Sequence, residues 1–293
     1  PMIKAEFSRC FLVKIIVFSL ITIPLHFCRL HSGTHEQGSD VLFASGSSPQ
    51  DYQENRNYLT KFDGEFFKYD IGIWILKKIG VVTLHCQREN DKITATVTGN
   101  TTGIADVMLH RHNTYRTTMG LDKDTNRLKP LNSYEKKIKG KEEKIKITSY
   151  DYVKNVRKDE IWKNDVFRRA KEINFDNKLN NDGISAFYNL RNEIHGKIHE
   201  SSTFTISTVC KDGLSDSLIH FRLIEDTDDV SLWKDRFPET KFIADIRLGP
   251  DVIDSKEGIL IILFKADLIP VGFLAKDVLG YGDLYGVLTD EKN

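Results

Sequence analysis

Short stretches of alternating apolar and polar residues, broken by tight turns, constrain this chain more than any other feature. Ile93-Thr94-Ala95-Thr96-Val97-Thr98 alternates strictly, as a strand does when one face is in a core and the other in water. Tyr115 to Met119, Ile145 to Tyr150 and Thr203 to Val209 follow the same rule. Phe66 to Ile75 and Ile79 to Leu84 are dense in β-branched and aromatic residues, which favour pleated surfaces. Further candidates are Ile219 to Ile224, Lys241 to Leu248 and Gly258 to Ala266. Within the last, Ile259-Leu260-Ile261-Ile262-Leu263-Phe264 is apolar at every position, which predicts a central strand covered on both faces. Glu89-Asn90-Asp91, Asp122 to Asn126, Lys139-Gly140-Lys141 and Lys211-Asp212-Gly213 supply the turns. Strands this close together, without long helices between them, pair with their sequence neighbours. The prediction is an all-β, mainly antiparallel fold over residues 58–293, a curved meander sheet or half-barrel with one or two short helices packed on it.

Two segments carry helical spacing. Ile184, Phe187, Tyr188 and Arg191 recur on one face, with Asp182 placed to cap the amino end. Trp162 to Ile173, with Trp162, Val166, Phe167 and Ala170 on one side, reads as a second helix, and nearly as well as a strand.

Before residue 58 the composition changes. Lys4 and Arg9 precede an apolar run from Phe11 to Leu25, the pattern of an export signal. The run is shorter than the roughly 20 residues that span a bilayer. If Lys14 snorkels, Phe11 to Cys28 serves as an uncleaved anchor. Cys28 holds the position used for lipidation, but Phe27 stands where a small residue is needed. Residues 1–30 therefore read as a signal peptide or N-terminal membrane anchor, and residues 31–57, rich in Ser, Gly, Gln and Asn, as a flexible linker. The expected location is the periplasm, free or membrane-anchored. With 42 basic against 42 acidic side chains, no net charge draws the chain to nucleic acid.

At Asp182, Ser185, Tyr188 and Arg191 the sequence resembles the central D-x-x-S-x-x-Y-x-x-R run of a bacterial family called domain of unknown function 3108. Three other segments agree in order: Gly72 to Gly80, Leu128-Lys129-Pro130-Leu131 and Asp267-Leu268-Ile269-Pro270-Val271. Two features depart from the family pattern. Phe264-Lys265-Ala266-Asp267 replaces a common Trp and Ser-Asp pair, and no Asp-Pro leads into the helix. The resemblance implies an exported envelope protein of unassigned activity. By analogy of fold, it implies a sheet similar to the half-barrels of lipoprotein carriers, which hold acyl chains.

Candidate site residues follow from these readings. A groove lined by inward residues such as Phe204, Ile206, Phe221, Leu223, Ile261 and Leu263 would bind lipid or another envelope component, with Tyr188 and Arg191 as further ligand contacts. The bland alternative is a solid core, with Arg191 anchoring its helix to a carboxylate such as Asp182 or Asp176. The alternative function is an envelope glycan- or lipid-acting hydrolase using acidic groups such as Asp182, Asp245 and Asp267. Cys86 and Cys210 would close a disulfide if their Cα atoms approach, and otherwise are two separate thiols. His110 and His112, two apart on a strand, would share a face and make half a metal site; without a third ligand at recognisable spacing they read as surface histidines. His195 and His199 are kept apart by Gly196. Asp226 to Asp229 reads as an acidic turn. Lys136, Lys137, Lys139, Lys141, Lys144 and Lys146 would meet anionic headgroups, or more simply guard a solvated edge hairpin. No nucleophile elbow or phosphate-cradling glycine loop occurs. The reading assigns no catalytic residue, no cofactor and no metal.

Overall fold

In the computed structural model the described residues are 59–73, 76–175, 181–209, 214–224, 235–248, 258–276 and 283–292. The leader and linker expectations, Trp74-Ile75, Asp176, Cys210 and the acidic turn at 226–229 lie outside them.

The chain first runs through β1 (Phe66–Ile73), β2 (Leu76–Glu89), β3 (Lys92–Thr101), the helix α1 (Gly103–Leu109), and β4 (Arg111–Asp122). It continues as β5 (Arg127–Lys139), β6 (Glu142–Asp151), β7 (Val156–Lys163) and β8 (Val166–Asn174). The helix α2 (Gly183–Arg191) follows. A return meander comprises β9 (Thr203–Val209), β10 (Leu214–Leu223), β11 (Phe242–Arg247), β12 (Ile259–Phe264), β13 (Pro270–Ala275) and β14 (Leu284–Lys292). All fourteen strands belong to one antiparallel sheet, in the order β8-β7-β6-β5-β4-β3-β2-β1-β14-β13-β12-β11-β10-β9. Consecutive strands pair throughout except β8 and β9, and at the centre β1, besides pairing with β2, pairs with β14. The sheet does not close into a barrel, because β8 and β9 are its two margins.

Helix α2 packs on β4, β5 and β9 together. Asn181 bridges to Thr208 on β9, while the next residue, Asp182, accepts a hydrogen bond from Thr117 on β4 at 2.6 Å. One helix thus draws strands from both meanders around itself. The principal core, including Phe67, Tyr69, Leu84, Ile184, Tyr188, Ile219 and Phe221, fills the concave side. A second apolar layer covers the other face of β11 to β14: Ile243, Ile261, Leu263, Val271, Leu274 and Tyr285 pack with Phe237. β12 is therefore buried on both faces, as its unbroken apolar run predicts. At the central seam two glycines admit aromatic rings. A Cβ on Gly72 would strike the Tyr285 ring, and one on Gly286 would strike Phe273.

Three expectations are corrected. Trp162 to Ile173 is the β7–β8 hairpin, not a helix. Asn164 and Asp165 both take positive φ, 49° and 60°, as a two-residue hairpin turn requires, and Trp162 pairs across it with Phe167, ring centroids 5.2 Å apart. The second helix is instead α1, short and with no buried residue. The lysine-rich β5–β6 hairpin is internal to the sheet, not an edge. Lys136 pairs with Glu143 at 2.7 Å, Lys137 with Glu135, and Lys146 with Asp159 at 3.2 Å. The margin strand at that end of the sheet is β8, where Arg168, Arg169 and Lys171 stand on an exposed surface.

Candidate functional site

Helix α2 forms because Asp182 and Ser185 satisfy each other's backbones. The Asp182 carboxylate accepts from the Ser185 N–H at 2.8 Å, and the Ser185 hydroxyl accepts from the Asp182 N–H at 2.9 Å, a reciprocal cap that occupies two otherwise orphaned donors. One turn on, Asn189 exchanges bonds with Leu128 on β5. Its side chain accepts from the Leu128 N–H and donates to the Leu128 carbonyl, both at 2.8 Å. At the last turn the Arg191 guanidinium makes a two-pronged pair with Glu65 at 2.6 and 2.8 Å. Its Nε donates to the Leu268 carbonyl at 2.8 Å. Phe62, Phe67 and Phe187 surround the guanidinium, with centroids 4.9–5.4 Å away. The Tyr188 hydroxyl donates to the same Glu65 at 3.2 Å.

Tyr188 and Arg191 are buried and bonded to Glu65, which holds the helix down onto β1. Arg191 pairs with Glu65 and not with Asp182, which caps the helix; Asp176 lies outside the described residues. Glu65 carries no local sequence signal, being a single carboxylate ahead of an aromatic strand.

An adjacent side of α2, sharing Phe187 with the Arg191 cluster, faces an apolar cavity of about 120 Å³. Ala186, Phe187 and Leu190 form one wall. Tyr69 and Leu84 from β1 and β2, Ile206 and Ile219 from β9 and β10, and Ile246, Leu260, Ile262 and Phe273 from β11 to β13 form much of the rest. Thr208 and Ser217 are hydroxyl groups on one side, and the Tyr69 hydroxyl is turned away to the Pro270 carbonyl at 2.9 Å. Among the described residues no carboxylate, lysine, arginine or histidine lines it. A void of this size lined by aliphatic and aromatic groups admits a benzene-sized group. Of the expected groove residues only Ile206 lines the cavity. Phe221 is fully buried between Phe204 and Phe264, at centroid distances of 6.0 and 6.2 Å. Ile261 and Leu263 point to the opposite face of the sheet, because residues one apart on a strand alternate. Ala186 and Leu190, four apart in the helix, were the sequence signal for the missed wall.

The remaining candidates are dispersed. Asp182 borders a separate, polar cleft with Thr117, Tyr134, Glu135, Lys146 and Tyr150. Burial raises its carboxyl above the ordinary value, against the opposing hydrogen bonds of Ser185 and Thr117. Asp245 is paired with Arg222 on the sheet surface, and Asp267 accepts from the Ile269 N–H. The three carboxylates thus have three separate partners. Cys86 is a buried free thiol; burial pushes it up to about 12, with a smaller opposing hydrogen bond from Tyr188, so it carries almost no thiolate at neutral pH. His195 is half-buried beside Phe204, and His199 bonds Glu200 at the surface. His110 and His112 meet a third side chain, Asp106, on α1.

No family model matches the chain, and no curated protein matches it. Among solved structures it is similar to a beta-barrel-like protein of domain of unknown function DUF1849 from Brucella abortus, at 9% identity, covering 79% of this chain and 98% of that chain with a TM-score of 0.46. Among the described residues no helix is long and apolar enough to cross a membrane.

Proposed function

We propose that this chain is an exported, non-catalytic binding protein that takes the apolar part of a lipid or related amphiphile into the cavity beneath α2. The observation that supports this reading is the cavity's chemistry: aliphatic and aromatic walls with two hydroxyl groups and, among the described residues, no ionisable lining group but the tyrosine already bonded to Pro270. Transfer of a methylene from water into such a site stabilises by about 0.8 kcal/mol. A volume near 120 Å³ suits a ring or a short run of chain, so the polar end of the ligand stays outside. The lack of any carboxylate along the described lining favours binding over the hydrolytic alternative, which needs two acidic groups within reach of one bond. The motif resemblance to family 3108 and the leader-like residues 1–30 support export.

Titration with the fluorescent apolar probe N-phenyl-1-naphthylamine tests the site. Wild-type protein enhances the probe's emission, and lauric acid displaces it. Ala186→Trp fills the void beside Leu190 and weakens probe binding by at least about tenfold, corresponding to the loss of roughly two buried methylenes, while the melting temperature stays close to wild type. Wild-type protein that neither binds the probe nor gains thermal stability with lauric acid would falsify the reading.

A further inference from the structure

We propose that Asp106, His110 and His112 form a binding site for a divalent transition metal of the zinc class. The site stands apart from the apolar cavity and does not depend on what fills it.

Its geometry comes from the junction between α1 and β4. His110 ends the helix in the left-handed conformation, φ 42°, and its N–H donates to the Asp106 carbonyl at 2.8 Å. That turn folds the imidazole back toward the residue one helical turn earlier. His112 follows as the second residue of β4, so the two histidines converge through a helix-to-strand corner and not by strand alternation. His110 Nδ1 lies 3.8 Å from Asp106 Oδ2, and His112 Nε2 lies 3.5 Å from Asp106 Oδ1. The three ligand atoms lie within 4.8 Å of one another, with the imidazole rings 4.7 Å apart and steeply inclined. Tetrahedral zinc with Zn–N and Zn–O bonds near 2.0–2.2 Å holds its ligand atoms about 3.4 Å apart. Each imidazole nitrogen is already close to that distance from one oxygen of the Asp106 carboxylate, Oδ2 for His110 and Oδ1 for His112, and with one ligand atom from each residue all three lie within 4.8 Å, so small side-chain rotations bring them onto one ion.

Support behind the ligands is in place as well. His112 Nδ1 sits 2.9 Å from Asn100 Oδ1; an amide oxygen there holds the Nδ1 proton and turns the Nε2 lone pair toward Asp106. Thr101 Oγ1 donates to Asp106 Oδ1 at 2.6 Å and in turn accepts from the Arg111 N–H at 3.0 Å. Such partners orient ligating side chains in metal sites and typically contribute tenfold to a hundredfold in affinity. Two imidazoles with one carboxylate select zinc-class ions over calcium or magnesium, which require oxygen ligands. The three side chains are 33%, 54% and 36% exposed, which leaves an entry path and a fourth position for water. A bound ion would also tie down α1, a seven-residue helix whose Ile104, Val107 and Met108 face solvent.

Calorimetric titration of the full chain, free of any histidine tag, with zinc chloride at pH 7.5 tests the site, with cobalt(II) absorption as a second measurement. One ion binds per chain, and cobalt gives the intense visible band of a low-coordinate nitrogen and oxygen site. Asp106→Ala, His110→Ala and His112→Ala each weaken binding at least about tenfold, and Asn100→Ala does so by a similar factor. His199→Ala, at an unrelated surface histidine, leaves affinity unchanged. Hydrogen exchange across residues 103–109 slows on adding zinc to wild type and not to His112→Ala. The proposal is overturned if wild type binds no zinc at about 100 μM, or if binding persists undiminished in His110→Ala and His112→Ala.

Discussion

Arg191 and Glu65 place a full pair of charges inside an apolar core, and that choice carries a measurable cost and a measurable dependence. The guanidinium has Glu65 on two nitrogens and a backbone carbonyl on the third. Removing either partner leaves the other charge buried alone, which typically costs 3–5 kcal/mol. We expect Arg191→Met to lower the unfolding free energy by about that amount in urea. Glu65→Leu combined with Arg191→Met should be far less damaging than the sum of the single changes, since an apolar pair of similar volume fits the same surroundings. A double-mutant cycle measures the coupling, and additive losses would contradict the geometry. The sequence showed only half of this pair. Arg191 is visible from its helical spacing and its place in the D-x-x-S-x-x-Y-x-x-R run, which leave ligand contact and helix anchoring both open. Its partner is not visible, because Glu65 lies 126 residues away and nothing local distinguishes one carboxylate from another before the chain folds. Asp106 escaped for a related reason: its link to His112 passes through a helix cap whose left-handed turn leaves no periodic trace.

At the level of elements, α2 was legible and β8 was not. A reciprocal cap and apolar residues at three- and four-residue spacing specify the helix redundantly. The spacing of Trp162, Val166, Phe167 and Ala170 suits a helix just as well, and only the Asn164-Asp165 turn and the Trp162–Phe167 cross-strand contact decide for a hairpin. Strands β13 and β14 escaped notice because Pro270, Gly272 and Gly286 dilute their β-branched character; they are held by neighbours on both sides. The α2 cap makes a pH prediction. Burial raises the Asp182 carboxyl in the folded protein, so the native state binds that proton more tightly than the unfolded chain does. Its contribution to stability is therefore fully present below the unfolded value of about 3.8 and is lost as pH rises through the raised folded value. Asp182→Asn, which keeps an acceptor for the Ser185 N–H, should flatten that segment of the stability–pH curve measured by urea unfolding. Asp182→Ala should instead lower stability by about 1 kcal/mol or more at every pH, by loss of the cap.

For the whole molecule, the local pairing of strands is readable and the joining of the two meanders is not. Hairpins follow from turns and alternation, which act over a few residues. The pairing of β1 with β14 joins segments more than 200 residues apart, as in Tyr69 opposite Leu288, and no sequence pattern announces it. That seam unites the two meanders, so its loss should be felt everywhere. A chain ending before Leu284 would leave β1 and β13 without their common partner. We expect such a truncation to lose the cooperative thermal transition in near-ultraviolet circular dichroism while retaining β signal in the far ultraviolet. A sharp, near-native melt would show that the two meanders stand independently. The same arrangement bears on biosynthesis. At 5–20 residues per second a ribosome needs roughly 10–40 s to deliver the 200 or so residues between β1 and β14. Throughout that interval β1 presents a bare, hydrogen-bonding flank to whatever else is in solution. Newborn copies are thus most prone to stick to one another before the final strand arrives, and a holding chaperone during that window would raise yield more than any change to the finished protein.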